Sequence, residues 1–152
     1  MAPLSLIILA LLFTSISSNN EIDLIRIVNS GSTNTAAYTI ELQRNGLVQW
    51  TVTPRLHPVL STVPTSTVTP NQSRLPTVRA KTVFQAVEQA YPFTQYKPVF
   101  CMKSVSFGTE LNVIYNGQQT PDLNCPMDDQ RLVNLSKEIN DLITDLHINT
   151  LG

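Results

Sequence analysis

The chain has 152 residues, 42% of them hydrophobic and 14% charged, with Lys plus Arg at 10 against Asp plus Glu at 11 and a formal net charge of -1. Without a block of basic residues to neutralise a phosphate backbone, the composition argues against nucleic acid as a partner. It argues equally against an anionic membrane surface.

The first charged side chain is Glu21. From Leu4 to Ile16 the sequence is nearly all Leu, Ile, Ala and Phe with Ser and Thr interruptions, too short an apolar run for a mature spanning helix. Residues 1–17 therefore read as a signal peptide cut after Ser17, with the Ser18 bond as an alternative. The n-region, Met1, Ala2 and Pro3, has only its α-amine as positive charge. The expected product is secreted or extracytoplasmic, with no stable transmembrane anchor after cleavage and an extracellular protein or glycan as partner. About 135 residues remain, the size of one domain, expected over 22–148. In an oxidising compartment Cys101 and Cys125, 24 residues apart, form a disulfide by default.

Leu24 to Val28 is the first strand candidate, and Ser30, Gly31, Ser32, Thr33, Asn34 and Thr35 form a polar turn or loop after it. Tyr38, Ile40 and Leu42 then alternate with polar residues, as do Val48, Trp50 and Val52, which predicts a hairpin. A two-residue Asn45-Gly46 turn would put the two apolar sets on opposite faces. The predicted register instead sets Leu42 opposite Val48, Ile40 opposite Trp50 and Tyr38 opposite Val52. Arg44, Asn45 and Gly46 become a three-residue turn, with Gly46 in the left-handed position.

Between Thr51 and Thr77 stand five prolines, Pro54, Pro58, Pro64, Pro70 and Pro76. Proline fixes φ and removes a donor, so neither a long helix nor a central strand fits here. A Thr/Pro-rich loop is expected at about 54–76, with an edge strand near Pro54 to Leu60 or O-glycosylation as further readings. It contains the N-glycosylation sequon Asn71-Gln72-Ser73.

Helical spacing of Ala80, Val83, Phe84, Val87 and Tyr91 predicts a helix capped by Thr77 and stopped at Pro92. The aromatic cluster Tyr91, Phe93 and Tyr96 is expected to close the core where helix meets sheet. Val99, Cys101, Val105 and Phe107 share one parity and Leu111, Val113 and Tyr115 another, suggesting a second hairpin through Gly108, Thr109 and Glu110. Cys101 would then lie beside Gly117, and the disulfide would staple that hairpin to the segment from Pro121 to Pro126. Finally Leu132, Leu135, Ile139, Leu142, Ile143 and Leu146 form an apolar stripe, with Asp128 or Asp129 as cap and Asn134, Glu138, Asp141 and Asp145 opposite. Asn134-Leu135-Ser136 is a second sequon. The fold class is α+β, an antiparallel sheet of four to six strands covered by two amphipathic helices.

No spacing in the chain matches a known catalytic chemistry. A Gly-x-Ser-x-Gly elbow is lacking, and neither His57 nor His147 has partners spaced for a metal site. No catalytic residue, metal or cofactor is expected. The candidates are binding loops: Ser30, Gly31 and Asn34 in one, Pro54, His57, Pro64 and Pro70 in the other. The order strand, Ser30-Gly31, paired strands, helix after Pro76, hairpin and Leu-rich helix resembles the emfourin-type inhibitors of metallopeptidases. Where that family continues with further glycines, this chain has Ser32, Thr33 and Asn34, then Ala36 and Ala37. The resemblance implies a peptidase inhibitor, while the N-terminal apolar run implies secretion and the two presented loops, one of them extended and restricted by proline, imply a non-enzymatic protein-binding domain able to lie in a peptidase cleft. Alternatives are a glycosylated cell-surface or matrix module and a small secreted hydrolase.

Overall fold

The computed structural model describes residues 23–53 and 69–149. Alternation of apolar and polar residues builds the first three strands, β1 (Leu24–Asn29), β2 (Ala37–Gln43) and β3 (Leu47–Thr53). The β2–β3 hairpin has the register expected from parity, with Leu42 opposite Val48, Ile40 opposite Trp50 and Tyr38 opposite Val52. Gly46 closes it with φ of 86°. A Cβ there would lie 2.6 Å from the Leu75 carbonyl oxygen, so both conformation and space demand glycine.

A short strand, β4 (Asn71–Arg74), follows on the outer edge of β3. It lies inside the stretch expected to be loop, and its four side chains are exposed. It has no apolar alternation to betray it, and the expected edge strand near 54–60 lies outside the described residues. Helix α1 (Thr77–Ala90) begins after Pro76, which holds the N-cap position. Thr77 is its first residue rather than its cap, a correction that follows from proline's fixed φ suiting a helix entrance. Tyr91 leaves the helix in extended conformation before Pro92, and a single 3-10 turn spans Phe93–Gln95.

Strand β5 (Leu111–Tyr115) pairs with β1 on one side and with the two-residue β6 (Gln118–Gln119) on the other. The result is a six-stranded antiparallel sheet in the order β4-β3-β2-β1-β5-β6. The second hairpin expected from parity does not form, because both sides of β5 are taken, one by β1 and the other by β6 and the residues after it. Residues 99–107 are irregular, so Cys101 has no strand partner at Gly117, while the expected Cys101–Cys125 bridge is present. Helix α2 (Gln130–Asp145) starts at Asp129, whose side chain accepts from the Arg131 backbone N–H.

One parity of each central strand, including Ile25, Ile27, Ile40, Leu42, Leu111 and Val113, joins a single core with Val83, Phe84 and Val87 of α1 and Leu135, Ile139 and Leu142 of α2. Burying such a side chain stabilises by roughly 1.5–3 kcal/mol. Tyr91 stacks edge-on against Phe93 and Tyr115, closing the core beside α1 as the aromatic cluster suggested. Trp50 is partly buried against the same core. On α2, Glu138 and Asp145 turn out not to be a free solvated face: both reach Arg79 of α1.

Candidate binding end of the sheet

Sheet order gathers the irregular segments at one end. Asn29 at the end of β1 pairs with Tyr38 and Leu111, Ala37 pairs with Thr53, and Trp50 pairs with Asn71. The chain therefore leaves β1, enters β2 and β5, leaves β3 and enters β4 all at the same end. Two predicted binding loops, one after Asn29 and one after Thr53, share that origin. Of their residues, Ser30, Gly31, Asn34 and Pro70 are described, whereas Pro54, His57 and Pro64 lie outside the described residues.

The Ser30 loop is held tightly. Ser32 N donates to Thr35 O at 2.8 Å, and Gly31 N donates to the buried Asn29 side chain at 2.9 Å. Gly31 has φ of 66°, and a Cβ there would sit 2.7 Å from Ala37 N, which explains the early Ser-Gly pair structurally. The Asn29 amide also donates to Thr109 Oγ1 at 3.1 Å. Burial pushes the Tyr38 phenol above its usual range, and its hydrogen bond with Asn29 partly offsets that.

The loop lies against residues 105–110. Asn34 N and Ser32 Oγ both donate to Ser106 O, at 2.9 and 2.8 Å. Ser30 N donates to Glu110 O at 3.0 Å, and Glu110 N donates to Ser30 Oγ at 2.9 Å. Each such bond contributes about 1 kcal/mol net. Together they fix one loop to the other.

Asp122 anchors the segment from Lys103 to Leu111. Its nearly buried carboxylate accepts from the Leu111 and Asn124 backbone N–H groups, both at 3.0 Å, and pairs with the Lys103 ammonium. Lys103 also donates to Thr109 O at 2.7 Å, and the Asn124 amide donates to the same oxygen at 3.0 Å. The Cys101–Cys125 bridge, with Cα atoms 5.6 Å apart, fastens the segment's start. The Sγ atoms and an Asp122 oxygen lie within 4.8 Å of one another. Joined sulfurs offer no thiolate, and Lys103 already neutralises the carboxylate, so the cluster as it stands is a structural anchor rather than a metal centre.

What this anchor presents is apolar. Phe100 is 92% exposed, Met102 is fully exposed, and Val105 and Phe107 are 87% and 61% exposed. Sequence parity assigned Val105 and Phe107 to a buried strand face; the one available signal against it was Lys103 at the same parity. A shallow cavity of about 450 Å³ beside Phe100 is lined by Val99, the disulfide, Lys103, Glu110 and Pro121. Fixed donors and apolar knobs can recognise a surface.

The remaining predicted positions are separate. Asn71 on β4 and Asn134 on α2 are both exposed, the latter accepting from the Gln130 amide at 2.8 Å. His147, also exposed, follows α2 with φ of 51°. Among the described residues no helix is long and apolar enough to cross a membrane. Neither a protein-family model nor a curated protein matches the chain.

Proposed function

We propose that this chain is a secreted, non-enzymatic protein-binding domain that uses the loop end of its sheet as the recognition surface. The observation that carries the reading is the contiguity of the Ser30–Thr35 loop with a disulfide-anchored segment exposing Phe100, Met102, Val105 and Phe107. Exposed apolar groups clustered on a pre-ordered scaffold favour association, because little further entropy is lost on docking. Peptidase inhibition is the particular activity proposed, since two adjoining, tethered loops suit insertion into a cleft. A disulfide and the lack of a membrane-crossing helix among the described residues are compatible with work outside the reducing interior. Titration against purified secreted peptidases of the metallo, serine, cysteine and aspartic classes tests the activity. Saturable inhibition at micromolar protein is expected from one class, and a flat response from all four removes it. A second reading, a glycosylated cell-surface or matrix module, draws on the exposure of both sequon asparagines. Deglycosylation of native material followed by intact mass measurement separates that case.

A further inference from the structure

Phe100 and Met102 flank Cys101, and their side chains stand almost wholly in solvent while the cysteine between them is tied down. We infer that Phe100-Cys101-Met102 is the inserting segment of the inhibitor surface, and that its target is a peptidase whose primary specificity pocket is apolar and uncharged. The inference rests on the inhibitor reading above and deepens it by naming the partner's chemistry.

Charge narrows the occupant. Residues 30–37 carry no charged side chain, and residues 99–109 carry only Lys103. Lys103 is engaged by Asp122 and the Thr109 carbonyl. A pocket with a buried carboxylate or guanidinium would be desolvated against the Phe100 and Met102 side chains, which carry no charge to meet it, and the exposed Glu110 beside Phe100 disfavours a carboxylate further. An apolar pocket has no such cost. Shape points the same way, because side chains this exposed stand proud of the surface and require a concave partner. A neutral lipid interface would also accept Phe and Met. The protein cleft is favoured because the adjoining Ser30–Thr35 loop is polar and held in place, and gains nothing from hydrocarbon.

The test uses the full chain and four variants: F100A, M102A, F100K and S32A. Phe100 and Met102 are exposed, so replacing them leaves the fold intact, whereas Ser32 is half-buried and bonded to Ser106, and unchanged thermal melting checks each variant. Against peptidases grouped by whether their primary pocket accepts bulky apolar, basic or acidic residues, the parent protein should inhibit only the first group. F100A or M102A should weaken that inhibition at least tenfold, and F100K should move it towards the basic-accepting group. If the parent inhibits but neither F100A nor M102A alters it while S32A does, the inserting segment is misassigned and the broader reading survives. If the parent inhibits no peptidase, both fail. Flotation with neutral phosphatidylcholine vesicles that depends on Phe100, without inhibition, assigns the segment to a lipid surface and overturns the inference.

Discussion

Single side chains at the binding end do unequal amounts of structural labour. Asp122 takes two backbone donors and one ammonium, so removing it leaves two N–H groups without a partner and Lys103 without its counter-charge in a nearly buried site. Asp122→Ala is expected to lower stability by about 3 kcal/mol in urea unfolding. Asp122→Asn, which retains an acceptor oxygen, should cost less than half as much. At the entrance of α2, the Arg131 guanidinium and then its backbone N–H hold the Asp129 carboxyl down to about 2 from an ordinary 3.8. A lowered folded value means that its contribution is complete above about pH 4 and disappears as pH falls through about 2. Carboxyl titration by NMR should place its midpoint near 2, and a midpoint close to 3.8 would show that the Arg131 side-chain contact is not formed. Gly46→Ala brings a Cβ against the Leu75 carbonyl at positive φ, for an expected loss of about 2 kcal/mol.

At the level of elements, the β2–β3 register was legible because two independent constraints agree: apolar parity on both strands, and a turn whose glycine falls where positive φ is needed. Helix α2 was equally plain from its stripe. The strand expected across Val99 to Phe107 was not, since alternation says which face a residue would take but not whether a sheet edge remains for it. Strand β4 escaped notice for the opposite reason: Asn71–Arg74 is held by backbone pairing to β3 and buries no side chain. The convergence of the loops depends on β5 crossing to the free side of β1, a long-range choice that no local pattern encodes. The two helices are also joined by a charge bridge that sequence spacing could not reveal. Arg79 of α1 reaches Glu138 Oε2 at 2.5 Å and Asp145 Oδ2 at 2.9 Å on α2, and it is only 21% exposed. Arg79→Ala should cost about 1–2 kcal/mol by thermal unfolding. Arg79→Lys should recover part of this, because a single ammonium cannot reproduce the fork.

For the molecule as a whole, the disulfide divides labour with the core. The core joins helices to sheet without help from sulfur, whereas residues 99–107 have no strand partners and depend on Cys101, Lys103 and a few backbone bonds. Replacing both cysteines by serine is expected to lower stability by about 3 kcal/mol. Hydrogen exchange should quicken around 99–110 while β1 and β2 stay protected, and uniform loss of protection would contradict this division.

Strand order also governs how a nascent chain can mature. β1, β2 and β3 form a meander from local contacts alone, but β1 lies in the middle of the sheet and its second edge stays open until β5 has emerged. During vectorial synthesis that edge and the apolar strand faces must wait through the whole of α1 and the segment beyond it, in a form prone to pair with neighbouring chains. A holding chaperone would therefore raise the yield of correctly assembled protein more than it changes the stability of the finished fold.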